Sequence, residues 1–291
     1  NAGTGFNICI NNATVTLTGF SPTGGTWSGA GIVGNTFNPA TAGAGNFVLT
    51  YSYGAGTCLS TDTIHVTVNP LPTVAVNSST ICFGQSTVLT ATGGNTYSWL
   101  PNTNLSATTG ASVTASPTAT ITYTVTGTTT ATGCANTATS TVNVNPLPVV
   151  NAGPDATICT GGAAQLNVTG PPAGSSYSWT PSTGLSSTTG NSVTANPTST
   201  TTYTVTGTRT TTGCQNSATI TVTVNALPVV TVNPTTPSIC IGGSTTLTAG
   251  GAVSYSWSPT TSLSATTGSP VTASPNSTIT YTVTGTDVNG C

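Results

Sequence analysis

Tyr97-Ser98-Trp99 recurs as Tyr177-Ser178-Trp179 and Tyr255-Ser256-Trp257, each copy following an Ile-Cys pair and preceding a Gly-Cys pair. Working outward, Ile81-Cys82, Ile158-Cys159 and Ile239-Cys240 begin three copies of one module, and Ile8-Cys9 begins a fourth. The interval is roughly 75–80 residues, the signature of a repeat architecture. Four units then occupy residues 1–70, 71–146, 147–226 and 227–291.

Within residues 71–146 the apolar positions alternate. Leu89 and Ala91 fall on one face of a strand, as do Tyr97 and Trp99, then Ile121, Tyr123 and Val125, then Ala138, Val142 and Val144. Opening and middle strands are expected at Thr73–Asn77 and Ala111–Ala115. Period two with Gly-Gly, Pro-Asn and Thr-Gly punctuation, and no helical period, predicts an all-β unit. The expected fold class is a tandem array of four immunoglobulin-like β-sandwiches of antiparallel strands, one disulfide each. The first unit carries Gly24–Gly29 and Gly34–Pro39 in place of the Tyr-Ser-Trp segment, and is expected to differ only in its central strands.

Charged residues make up 1% of the chain, against about a quarter in a typical soluble domain. Arg209 is the sole Lys or Arg and Asp62, Asp155 and Asp287 are the acids. Nucleic acid is excluded as a partner, because phosphate binding needs clustered cations, and so is an anionic membrane surface. The apolar runs are too short for membrane insertion. No catalytic constellation, metal set or cofactor motif is visible: His65 should point outward between Ile64 and Val66, and the acids are too scattered for Ca²⁺. The chain is not read as an enzyme.

All eight cysteines, Cys9, Cys58, Cys82, Cys134, Cys159, Cys214, Cys240 and Cys291, are expected in disulfides of an oxidising compartment, since no CxxC or second His suggests zinc. They could pair on the order of a hundred ways. The repeat suggests that each unit closes on itself: Cys9–Cys58, Cys82–Cys134, Cys159–Cys214 and Cys240–Cys291.

Asn69-Pro70-Leu71-Pro72, Asn145-Pro146-Leu147-Pro148 and Asn225-Ala226-Leu227-Pro228 join the units without a Gly/Ser spacer. Such connectors are stiff, and each Leu is expected to pack in its joint. The array is expected to be a rod. Asn1-Ala2-Gly3 aligns with Asn151-Ala152-Gly153, and Cys291 with Cys214. The expectation is that the native chain continues both ways, or that a neighbour donates the fourth unit's last strand.

The motif order over Ile81–Pro148 resembles the PKD-like and Ig-like repeats of very large secreted Bacteroidota proteins. The first unit, with Gly25-Thr26-Trp27-Ser28-Gly29 and Gly34–Ala40, resembles a second repeat type of the same proteins. The resemblance implies cell-surface or secreted proteins exported by the type IX system, gliding-motility adhesins among them, and brings no catalytic residue. Asp62-Thr63-Ile64 matches a short O-glycosylation signal used by Bacteroidota, which makes Thr63 a candidate glycan site.

The expected function is a structural segment of a long extracellular fibre or cell-surface adhesin. Its partners would be neighbouring repeats of the same or an identical chain, with surface glycans as further candidates. The alternatives are a carbohydrate-binding array, with Trp99, Trp179 and Trp257 as stacking platforms, and spacer domains of a larger secreted enzyme.

Overall fold

The computed structural model describes residues 1–169 and 174–291. It divides into two compact units, Asn1–Pro146 and Leu147–Cys291, each holding two repeats. The first repeat contains β1 (Phe6–Cys9), β2 (Val15–Thr16), β3 (Thr26–Ser28), β4 (Ile32–Val33), β5 (Thr36–Phe37), a one-turn helix α1 (Pro39–Ala42), β6 (Gly45–Tyr53) and β7 (Ser60–Asn69). The second contains β8 (Ala75–Val76), β9 (Ser79–Cys82), β10 (Thr87–Thr92), β11 (Thr96–Leu100), β12 (Ser112–Ala115), β13 (Ile121–Thr128) and β14 (Ala135–Asn145). The third follows with β15 (Ala156–Cys159), β16 (Ala164–Asn167), β17 (Ser175–Thr180), β18 (Ser192–Ala195), β19 (Thr201–Arg209) and β20 (Gln215–Asn225). The fourth has β21 (Thr231–Asn233), β22 (Thr245–Gly250), β23 (Ser254–Ser258), β24 (Val271–Ala273) and β25 (Thr282–Thr286).

Each repeat is a sandwich of two sheets. In the second, β11-β13-β14-β9 faces β12-β10-β8, and in the third β15-β20-β19-β17 faces β16-β18. The alternation supplies the core between them: Leu89, Ala91, Trp99, Val113, Ala115, Tyr123, Val125 and Val142 are buried, while the intervening threonines face outward. Burying one face of each sheet is the main stabilising term.

The expectation of wholly antiparallel sheets is corrected. β9 runs parallel to β14, pairing Cys82 with Asn145, and β15 and β1 run parallel to β20 and β7, pairing Cys159 with Asn225 and Cys9 with Asn69. The opening stretch changes sheets: β8 pairs with β10, and three residues later β9 pairs with β14. Asn77 holds the crossing point. Its side chain donates to Val88 O and accepts from Thr90 N, while its carbonyl accepts the hydroxyl of the fully buried Ser140 at 2.6 Å. The Ile-Cys segment is too short to show a period, which is why its strand is not legible in sequence.

The first repeat also departs from the all-strand expectation in α1, where the Asn38 side chain accepts from Ala40 N and Thr41 N and Pro39 opens the turn. These are helix-starting features that act locally.

Candidate functional site: the cysteine-bridged joints

The three indoles are structural. Trp99, Trp179 and Trp257 are 1%, 1% and 3% exposed, and their Nε1–H groups donate to Gly110, Gly190 and Gly268 carbonyls at 2.9 Å. With both faces inside, they offer no platform for a sugar ring. Trp27 takes the corresponding place in the first repeat, packed on Phe20 and Tyr51 at centroid separations of 5.9 and 5.2 Å. Burial pushes the Tyr123 and Tyr203 phenols up, and their hydroxyls donate to Thr103 and Thr183 carbonyls.

His65 is exposed between buried Ile64 and Val66, and Thr63 is exposed on β7. Asp62 accepts from Ala2 N at 2.8 Å and Thr63 N at 2.9 Å, and these bonds hold its carboxyl below the usual range. Asp155 accepts from Thr221 N, and Asp287 from Asn289 N and Cys291 N. Each acid therefore fastens a backbone segment. Among the described residues, no three His, Cys, Asp or Glu side chains gather where a metal could bind.

The cysteines are the chemistry that the fold brings together, and they do not close each repeat on itself. Cys9 bonds Cys134 with Cα atoms 5.6 Å apart, and Cys159 bonds Cys291 with Cα atoms 5.5 Å apart. Cys82 and Cys214 are also disulfide-bonded. Cys58 and Cys240 are free and exposed. The expected pairs Cys9–Cys58, Cys82–Cys134, Cys159–Cys214 and Cys240–Cys291 are all overturned.

Strand length is the reason. Cys82 lies beside Asn145 at the end of β14, whereas Cys134 immediately precedes Ala135 at its start. An 11-residue strand separates its ends by about 35 Å, and a disulfide needs Cα atoms within about 7 Å. The same holds for Cys159 and Cys214 across β20, and for Cys9 and Cys58 across β7. Cys9 and Cys159 thus sit at the exit ends of the first and third repeats, and each bonds across the joint within its own unit to Cys134 or Cys291 in the following repeat.

Other groups tighten the same places. Asn136, two residues after Cys134, donates from Nδ2 to Pro72 O at 3.1 Å, and Asn216 does the same to Pro148 O. The expectation is that each connector Leu packs in its joint; Leu71 and Leu147 are half-buried, next to buried Pro72 and Pro148. Leu227 departs from it, being 57% exposed. In the second, third and fourth repeats the turn before the second cysteine is closed by Thr129 N to Cys134 O, Arg209 N to Cys214 O and Asp287 N to Cys291 O.

A family model described as "Ig-like domain CHU_C associated" matches residues 147–228, the third repeat. No curated protein matches. Among solved structures, an I-band fragment of titin is similar at 13% identity and a TM-score of 0.37, covering 77% of this chain and 96% of that one. The N-terminal eight Ig domains of Down syndrome cell adhesion molecule are similar at 13% identity and 0.33, covering 98% and 53%. Drosophila OTK extracellular domains 3–5 are similar at 10% identity and 0.32, covering 77% and 94%.

Proposed function

We propose that this chain is a tension-bearing structural segment of a long extracellular fibre or cell-surface adhesin. The observation that supports it is the placement of Cys9–Cys134 and Cys159–Cys291 across joints between successive repeats. A bond within a repeat would stabilise that repeat alone. A bond across a joint also limits its bending, and it carries force past the residues it encloses. A chain pulled at its two ends transmits tension from Cys9 directly to Cys134, and from Cys159 directly to Cys291. The loops so protected have sequence separations of 125 and 132.

Disulfide-bonded Ig-like repeats suit a secreted setting, where thiols are oxidised. The near absence of charge leaves shape, stiffness and multiplicity as what the chain supplies, and the buried indoles take away the feature that favoured sugar binding. The partners in this reading are further repeats of the same or an identical chain, at the cell surface.

Single-molecule pulling between the ends tests it. Under oxidising conditions the two loops should stay closed, and reductant should release additional contour on the order of 900 Å at ~3.4 Å per residue. Equal extension with and without reductant would reject the tension-bearing role.

A further inference from the structure

Buried polar groups in folded proteins are nearly always paired. Among the described residues four buried side-chain atoms have no hydrogen-bond partner, and three of them, Ser175 Oγ, Tyr177 OH and Arg209 Nε, belong to one end of the third repeat. It is the end that carries Cys214, whose carbonyl accepts from Arg209 N. Ser175 stands opposite Arg209 in the β17–β19 ladder, and Tyr177 opposite Gly207. Opposed residues, and residues two apart on one strand, project to the same side of a sheet. Tyr177 is 7% exposed and belongs to the core of this repeat, so all three side chains project to the inner face. Ser175 and Arg209 are half-buried and Gly174 and Thr210 beside them are exposed, which puts the cluster at the rim of the sandwich.

The neighbouring repeats are built differently here. Tyr97 and Tyr255 hold the same ladder position, and each hydroxyl accepts from the backbone N and donates to the carbonyl of one residue, Gly94 or Ala252, at 2.8 Å. Asn95 and Val253 stand in the place of Ser175, and Thr129 and Asp287 in the place of Arg209. Of the three repeats, the third alone sets a cation at this end and leaves its tyrosine hydroxyl unbonded. Arg209 is also the sole Lys or Arg of the chain. The one ion pair among the described residues joins the amino terminus to Asp62, and the Asp155 and Asp287 carboxylates accept from backbone N–H groups elsewhere. A guanidinium partly out of water with no counter-charge is destabilising until an anion meets it.

We propose that Ser175, Tyr177 and Arg209 form a binding site for the carboxylate of a small organic acid. Arginine presents Nε–H and an Nη–H side by side, a fork that matches the two oxygens of a carboxylate. A carboxylate accepts at about four lone-pair positions, which leaves two for the Ser175 and Tyr177 hydroxyls. All three side chains can donate, so the ligand need supply only acceptors and negative charge. This inference goes beyond the tension-bearing reading, which rests on the disulfides, and neither depends on the other.

A chain with a single arginine gives a single Nε–H signal in a nitrogen–proton NMR spectrum, so the site reports on itself. Acetate titrated into the 291-residue chain should move that signal along a saturable curve, while chloride at equal ionic strength should leave it in place. Glucuronate separates an acidic sugar from a free acid as the source of the group, and saturation by either supports the proposal. Tyr177→Phe and Ser175→Ala should each weaken binding by about tenfold, the worth of one hydrogen bond to a charged group. Without ligand, Tyr177→Phe should melt with the parent because its hydroxyl has no bond to lose, whereas Tyr97→Phe should melt lower. Acetate should raise the thermal midpoint of the parent and not that of Arg209→Gln. An Nε–H signal indifferent to both acids, an equal response to chloride, or full affinity in either hydroxyl variant would overturn the proposal.

Discussion

Cys9 and Cys134 are bonded to each other across 125 residues of sequence, while Cys82, in the same repeat as Cys134, lies at the opposite end of β14. The two cysteines of this repeat therefore lie at its opposite ends. In the chain-entropy model, closing a loop of this length contributes about 5 kcal/mol to the stability of the folded pair.

Alkylation of the 291-residue chain without reductant should label Cys58 and Cys240 and spare the other six cysteines, which are bonded. Non-reducing peptide mapping should return Cys9–Cys134 and Cys159–Cys291. Recovery of a Cys9–Cys58 peptide would contradict the joint geometry.

Cys134→Ala should lower the denaturant stability of the first unit by several kcal/mol, up to about 5. Cys58→Ser and Cys240→Ser change exposed free thiols and should stay within about 0.5 kcal/mol of the parent. Urea titrations of the three variants side by side measure the difference. A Cys58→Ser loss as large as that of Cys134→Ala would reject the assignment.

Gly207 lies across from Tyr177 in the β17–β19 ladder, as Gly127 lies across from Tyr97 and Gly285 from Tyr255. A Cβ at Gly207 would come within 2.7 Å of Val150 Cγ2 and 2.9 Å of Tyr177 Cε1. Gly207→Val should therefore cost about 1–3 kcal/mol through overpacking, read as a lower thermal midpoint of the second unit. An unchanged midpoint would show that the tyrosine ring can move aside freely.

Trp179→Phe should cost about 1–3 kcal/mol, because it leaves the Gly190 carbonyl without its indole donor. Trp179→Ala should cost about 3–5 kcal/mol by opening a cavity. Chemical denaturation resolves both. Enhanced or unaltered stability in Trp179→Ala would place the indole outside the core.

Stability should be flat from neutral pH down to the carboxylate range and fall only in acid. Hydrogen bonds from Cys291 N to Asp287, and from Ala2 N and Thr63 N to Asp62, hold these two carboxyls below their ordinary value. A depressed folded-state value means that the contribution is complete above the unfolded value of ~3.9 and is lost as pH falls through the folded one. Both groups are exposed, so the acid limb should be shallow. Thermal midpoints across pH check this, and a midpoint that climbed on acidification would reverse the sign.

The sequence by itself determined the repeat, the sandwich and its inner faces. Leu89, Trp99, Tyr123 and Val142 are inside because a period of two has one consequence wherever a sheet buries one face. It also showed which residues sit at the joints, since Pro70 and Pro72 restrict the chain locally. The direction of the Ile-Cys strand was decided by tertiary structure, because the crossing at Asn77 depends on bonds to Val88, Thr90 and Ser140 from other strands. That direction placed the two cysteines of a repeat at opposite ends of an 11-residue strand. Pairing two thiols is a matter of distance in space, and spacing along a repeat is the same whether a repeat closes on itself or on its neighbour.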